Sequence, residues 1–496
     1  MISKKERIIW VAVVVFVIAI SFINIYRPSR AGAQERGGDN DFYRYMTLFQ
    51  NVYNSLQENF VDSDKVSAKK LITGAIKGML EAVDDPFTML MDDKLTAELN
   101  SEMAGEFGGL GIVLGMNDDS WLTVTAPIED TPAERIGVHG GDIISEIDGK
   151  TTKGMSIEQA VKILRGKPGT KVTITVVREG EDEPLRFTIT RAIINIKSVK
   201  YQMLPGPEKT GYVRITTFGD KTLNELKAAL ADLNQNGMKR IIVDLRNNPG
   251  GRLDTAFRTV DLFVSQGKIV YTRGRNPQQN SDFYAQPNDD LCIDIPMIVL
   301  VNKYSASASE IFAGAIRDNK RGVLVGEKTF GKFSVQQVLP LDPKNNVTYK
   351  MTIAKYYTPL GRSLHKEGLP PDYTADEEQF SKEDMTAVRK IREGKFISEY
   401  MKQHPKADAD AVAIPKLAAT LSTSCIKVRQ ELLERMIAIE RGRAESYKRV
   451  VDLKYDRQLQ YSMELIGKPA TFDYKKLDDA QAAAAKTNAQ PDKTAK

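Results

Sequence analysis

Five consecutive apolar residues, Met297-Ile298-Val299-Leu300-Val301, run into a turn of small residues and then into a helical pattern. An aliphatic run of this length reads as a strand buried on both faces. Asn302-Lys303-Tyr304 and Ser305-Ala306-Ser307-Ala308-Ser309-Glu310 follow it, and Ile311-Phe312-Ala313-Gly314-Ala315-Ile316 then carries apolar residues at helical spacing. A sharp strand-to-helix turn can expose a serine at a helix N-terminus. Unpaired N–H groups and the helix dipole favour a developing negative charge there. Ser307 and Glu310 equally fit a capping box, a device of many ordinary helices.

A second strand pair is expected just downstream, at Val323-Leu324-Val325-Gly326 and over Thr329-Phe330-Gly331-Lys332-Phe333-Ser334-Val335-Gln336. Alternation along an extended chain puts Lys332, Ser334 and Gln336 on one face. A lysine beside a glutamine, with Phe330 and Phe333 near in sequence, makes a partly desolvated amine. Such an amine serves as a general base near neutral pH. Taken alone, Lys332 is equally read as a solvated surface charge.

The two runs together resemble the carboxyl-terminal processing proteases, also called tail-specific proteases. The family's serine turn stands here at 305–310 and its lysine run at 329–336. The resemblance implies a Ser–Lys dyad in a serine endopeptidase, with Ser307 as nucleophile, Lys332 as base and Gln336 orienting the lysine. Two positions depart from the family pattern: Phe333 stands where glycine is usual, and Tyr304 where a glycine usually precedes the serines.

Strand and helix patterns alternate around these runs, the signature of an α/β layer. Thr222 and Glu225 are expected to box the start of a helix. The strand at 240–245 ends in Arg246-Asn247-Asn248-Pro249-Gly250-Gly251, whose glycines allow either a tight turn or an anion-facing backbone. The resemblance implies an oxyanion hole here, with Gly250 or Gly251 donating beside Ala308, and a crotonase/ClpP-like core over 194–374.

Phe107-Gly108-Gly109-Leu110-Gly111-Ile112, Thr131-Pro132-Ala133 and Gly140-Gly141-Asp142-Ile143-Ile144 occur in order within 101–193. A helix boxed by Ser156 and Gln159 and an alternating strand, Lys171-Val172-Thr173-Ile174-Thr175-Val176, follow them. The ordered set looks like a PDZ domain. Its loop at Gly109, Leu110, Gly111 and Ile112 would hold a peptide's terminal carboxylate on backbone N–H groups, with the peptide added as a strand.

The ends are less specific. Lys4, Lys5 and Arg7 precede an uncharged apolar run from Ile8 to Ile25, so 1–26 reads as a transmembrane anchor or a cleaved signal segment. The basic flank places the remainder outside, on a bacterial inner membrane facing the periplasm or exterior, or secreted after cleavage. Residues 27–40 read as a linker. Residues 41–100 read as a helical arm that either packs on its neighbour or drives homo-oligomerisation. A helical region over 375–480 and a disordered tail over 481–496 complete a multidomain α+β chain.

With 70 basic and 65 acidic residues spread along the chain, no nucleic-acid partner is expected. Two distant cysteines and three scattered histidines form no metal pattern, and no cofactor is expected; Cys292 reads as a small buried hydrophobe. The expected partners are proteins and peptides with free C-termini. The alternative is a membrane-tethered PDZ scaffold or tail-binding adaptor with an inert core.

Overall fold

The computed structural model describes residues 39–488, except 118, 129–130, 179–180, 288–294, 377–380, 405–409, 442–450 and 452. The expected membrane segment, the linker up to 38 and Cys292 lie outside the described residues. Among those described, no helix is long and apolar enough to cross a membrane.

The chain divides into two units, 1–84 and 85–496. The described part of the first holds the helices Asp39–Asn59 and Ala68–Glu81. On the first helix Tyr43, Met46, Leu48 and Val52 are exposed. The helical arm expected over 41–100 is corrected at its end, because Met89–Met91 is a strand. It pairs antiparallel with Val347–Tyr357, and long-range strand pairing overrides the local helical pattern.

The α/β layer is a six-stranded sheet. Its order is Val199–Met203, Thr210–Ile215, Arg240–Asp244, Met297–Val301, Val323–Gly326 and Tyr373–Thr374. The first pair is antiparallel and the others are parallel. Strand Met297–Val301 is buried throughout. Met297, Val299 and Val301 pack with Leu226 and Leu230 of helix Thr222–Gln235, with Val260 of helix Leu253–Asp261 and Phe263 just after it, and with Phe312 of helix Ala308–Asp318. Ile298 and Leu300 pack on the opposite face against Leu459, Leu465 and Ile466. Burying each such side chain stabilises the fold by about 1.5–3 kcal/mol.

The second sheet is antiparallel. Met89–Met91, Val347–Tyr357, Lys268–Gly274 and Ser281–Tyr284 follow in order, and Ser334–Asp342 also pairs with Val347–Tyr357. The expected pairing of 323–326 with 329–336 is therefore corrected. Val323–Gly326 lies in the parallel sheet, and the second strand begins only at Ser334.

The PDZ fold is a sheet of Ile112–Met116, Leu122–Pro127, Ile143–Ile147, Lys171–Val177 and Leu185–Thr190, with the short strand Lys150–Thr151 on its side. The helix Ile157–Leu164 starts in the expected capping box. Ser156 N donates to Gln159 Oε1 at 2.9 Å, and Gln159 N donates to Ser156 Oγ at 3.3 Å. Both ends of this fold leave through one antiparallel pair, Glu106–Gly109 with Ala192–Asn195. Lys221 Nζ reaches Glu106 Oε2 at 2.9 Å and also bonds Asn195, tying that stem to the α/β layer.

The box expected at Thr222 and Glu225 is absent. Lys221 is the N-cap, and Glu225 Oε2 instead accepts from Ser198 N at 2.8 Å and Val199 N at 3.1 Å. The C-terminal helical region is two structures rather than one. Helices Lys382–Glu393, Phe396–Gln403, Asp410–Thr423 and Gln430–Arg441 surround their own apolar core. Helices Arg457–Ile466 and Tyr474–Asn488 cover the parallel sheet. The second of these is helical as far as Asn488 where a disordered tail is expected from 481, and 489–496 lie outside the described residues; the alanine-rich sequence there favours helix.

Candidate active site

Ser307 is the N-cap of helix Ala308–Asp318, with φ +56° and ψ −114°. That left-handed backbone is costly for a residue with a Cβ and is held by its surroundings. Ala306 N donates to Asn248 O at 3.0 Å, and Ser305 Oγ donates to Leu245 O at 2.8 Å. The turn is thereby sewn to the adjacent loop that carries Gly250 and Gly251.

Those glycines have φ of +105° and +144°. A Cβ on Gly250 would stand 2.8 Å from both Ser307 Cβ and Ala308 N, so the two turns touch at backbone distance. Gly250 N donates to Asn248 Oδ1 at 2.9 Å. Among the described residues the N–H groups of Gly251 and Ala308 have no acceptor.

Lys332 lies in the loop before strand Ser334–Asp342 rather than within it. Strand alternation does not place it; Glu310 does. The Glu310 side chain is fully buried, and its Oε1 accepts from Thr329 Oγ1 at 2.5 Å and Gly331 N at 2.7 Å. Its Oε2 accepts from Lys332 N at 2.8 Å and Ser307 N at 2.9 Å. Burial pushes this carboxyl up, opposed by the four hydrogen bonds. Tyr356 clasps the same two segments from the other side, its hydroxyl meeting Ser307 O at 3.0 Å and also Lys332 O.

The Lys332 amine sits 4.6 Å from the centre of the Phe87 ring. Burial, followed by the nearby Lys350 charge, lowers its pKa, while Glu310 and Asp85 act in the opposite sense. Gln336 reaches the same cleft, but its Nε2 donates to Ser334 Oγ at 2.9 Å and Thr352 Oγ1 at 3.3 Å. No hydrogen bond among the described residues joins Lys332 Nζ to Ser307 or Gln336.

The cleft holds about 390 Å³ and is lined by Ser307, Ala308, Gly250, Gly251, Lys332 and Gln336, with Leu99, Met103 and Lys350 at its sides. The two departures from the family pattern stay out of it. Phe333 is wholly buried and stacks on Tyr356 at 4.7 Å, while Tyr304 is 55% exposed. Neither lines the cleft beside Ser307.

In the PDZ fold, Gly109 closes the stem strand, Leu110 is buried, and Ile112 opens the next strand. Gly111 has φ +81°, and a Cβ there would strike Thr131 at 2.2 Å. These four residues border a cavity of about 80 Å³, completed by Leu114, Val161 and Leu164.

Sequence reasoning missed Tyr356, Phe87 and Lys350, and took Glu310 only as half of a capping box. The pairing of Val347–Tyr357 with Ser334–Asp342 brings in Tyr356 and Lys350, and no local motif marks it.

Residues 209–375 match Peptidase family S41, 123–178 match the PDZ domain, and 25–95 match the activating protease CtpB N-terminal domain. A carboxy-terminal-processing protease of Bartonella bacilliformis is 38% identical over 368 residues, covering 73% of this chain and 82% of the relative. The chain belongs to the carboxy-terminal-processing proteases of family S41. A probable CtpA-like serine protease of Staphylococcus aureus is 34% identical over 370 residues, 74% of this chain and 71% of the relative. The solved photosystem II D1 C-terminal processing protease is 28% identical, with a TM-score of 0.41 over 70% of this chain and 97% of that one. This carboxy-terminal-processing protease is thus a serine-type peptidase carrying a PDZ domain.

Proposed function

We propose that the protease cuts protein tails with Ser307 as nucleophile and Lys332 as general base, after its PDZ domain takes hold of a free C-terminus. The observation that carries this reading is the shared oxygen of Glu310, which accepts the N–H of both Ser307 and Lys332. That arrangement joins the serine turn and the lysine loop into one cleft.

Neutral Lys332 leaves the Phe87 ring and takes the Ser307 Oγ proton as Oγ attacks a peptide carbonyl carbon. The oxyanion rests on the N–H groups of Ala308 and Gly251. Gly251 is favoured over Gly250 because Gly250 N is already committed to Asn248. Loss of one such donor costs about 3 kcal/mol of barrier. The tetrahedral intermediate collapses, the C–N bond breaks, and the Lys332 ammonium returns its proton to the departing amine. Water then attacks the acyl-enzyme, with Lys332 again as base. Gln336 Oε1 orients the lysine in the assembled dyad.

In the PDZ fold, the backbone at 109–112 receives the tail carboxylate, and the apolar cavity beside it takes the last side chain. A cavity of about 80 Å³ suits a small apolar residue. The reading includes export: Lys4, Lys5 and Arg7 before the apolar run to Ile25 support an anchor with the catalytic part facing the periplasm or exterior, or a secreted form if the segment is removed.

The test is cleavage of a protein with an unstructured apolar tail by the full chain, followed by mass spectrometry. Cleavage is expected to vanish in Ser307→Ala and Lys332→Ala and to weaken when the tail is amidated. Undiminished cleavage in either variant rejects the dyad.

A further inference from the structure

The cleft holds a second amine. Val338 of strand Ser334–Asp342 lies opposite Lys350 of Val347–Tyr357, and Gln336 lies opposite Thr352. Directly opposed residues of an antiparallel pair share a face. Gln336 and Val338 face the cleft, and Lys350 borders it with them and with Lys332. Lys350 is half-buried, and among the described residues it has no ion-pair partner. Two ammonium groups in one partly desolvated cleft repel each other, so the more enclosed one gives up its proton more readily.

We propose that Lys350 is a positioning residue that acts through its charge, keeping the Lys332 amine neutral and ready to act as base. The proposal rests on the reading of Lys332 as the base. Lys350 itself transfers no proton and forms no bond with substrate.

The charges around Lys332 come from several elements. Glu310 on helix Ala308–Asp318 and Asp85 on the loop before Met89–Met91 favour the ammonium, as does the Phe87 ring. Lys350 opposes them, and burial acts in the same direction as Lys350. Tyr356 is held neutral by burial, its ionisation pushed well up, and its hydroxyl meets the carbonyls of Ser307 and Lys332 rather than the amine. His365 accepts the Phe333 N–H at 3.3 Å through Nδ1, and its charge acts on Asp85. Lys350 is therefore the positive group set against the two carboxylates.

The experiment is the pH dependence of kcat/KM for tail cleavage by the full chain, by Lys350→Met and by Lys350→Arg. Ser307→Ala and Lys332→Ala serve as references, and melting temperatures report folding. In Lys350→Met the acidic limb is expected to move to higher pH. Activity on that limb should fall about three- to tenfold and recover at alkaline pH. Lys350→Arg should keep the unmodified limb, since it keeps the charge. A Lys350→Met profile that superimposes on the unmodified one overturns the proposal. So does a loss equal at every pH, or a shifted limb in Lys350→Arg. Activity surviving in Lys332→Ala would instead remove the base itself and this proposal with it. An inactive Lys332→Ala with an unmoved Lys350→Met limb overturns this proposal alone.

Discussion

The Glu310 carboxylate holds the Ser307 backbone N–H at 2.9 Å. The same oxygen holds Lys332 N at 2.8 Å, so one buried group sets the position of two segments 25 residues apart in sequence (332 − 307). Glutamine is nearly isosteric but keeps only one acceptor oxygen. Its amide N–H₂ would face donors on one side. Glu310→Gln is expected to lower kcat about 10- to 100-fold with KM within about twofold. It should also cost about 2 kcal/mol of stability. Steady-state kinetics with urea unfolding checks both, and a kcat within twofold of the unmodified enzyme would refute the positioning role.

Phe87 places its ring 4.6 Å from the Lys332 amine. A cation over an aromatic face gains about 0.5–1 kcal/mol, which favours the protonated form. Phe87→Leu keeps the apolar enclosure and removes the ring. The acidic limb of kcat/KM should move to lower pH, with activity on that limb rising about two- to fivefold. A limb that moves upward would mean that enclosure by Phe87, rather than its ring, controls Lys332.

A lysine with a lowered pKa costs stability. Below its folded pKa the folded state carries the full penalty of a disfavoured ammonium. Between that pKa and the ordinary value of 10.5 the unfolded chain binds the extra proton, so stability rises with pH across that window. Lys332→Met is therefore expected to be inactive yet more stable at pH 7, by roughly 2 °C in melting temperature. The gap should narrow as the pH approaches the lysine range. Calorimetry across pH decides it, and a less stable Lys332→Met would show that the contacts of the ammonium outweigh its desolvation.

Arg246 links the glycine turn to the C-terminal helices. Its guanidinium bonds Asp244 Oδ2 at 2.6 Å, Asp456 Oδ2 at 2.6 Å and Gln458 Oε1 at 2.9 Å. Burial alone would raise the Asp244 carboxyl, but Arg246 and the Tyr212 hydroxyl hold it below the ordinary carboxylate range. Its contribution is present above the unfolded value of 3.8 and is lost as the pH falls through the lower folded value. Arg246→Met leaves Asp244 buried and unpaired, at a cost of about 3–5 kcal/mol. Asp244→Asn in the same chain should recover part of that, as read by urea unfolding.

The strand at 297–301 and the serine turn were legible because a strand buried on both faces and a small-residue turn each leave a local mark. The PDZ strands and the Ser156 cap were legible for the same reason. Met89–Met91 was read as helical because its pairing with Val347–Tyr357 is set by residues more than 250 positions away. Lys332 reaches the cleft because a buried carboxylate, rather than strand alternation, positions its backbone, and no local pattern marks that hold. Lys350 carried no signal, because cross-strand register cannot be read from one strand. The C-terminal helices were seen, but not that Arg457–Ile466 forms one wall of the catalytic layer.

The stem Glu106–Gly109 with Ala192–Asn195 brings both ends of the PDZ fold out side by side. Strand Met89–Met91 lies before it and Val199–Met203 after it, and each belongs to a catalytic sheet. The PDZ fold is thus an insertion into a loop of the peptidase, entered and left through a single doorway. Exchanging it at that doorway removes no strand of either catalytic sheet. On the function proposed above, the choice of tail and the chemistry of bond breaking are free to diverge separately in descendants of this chain.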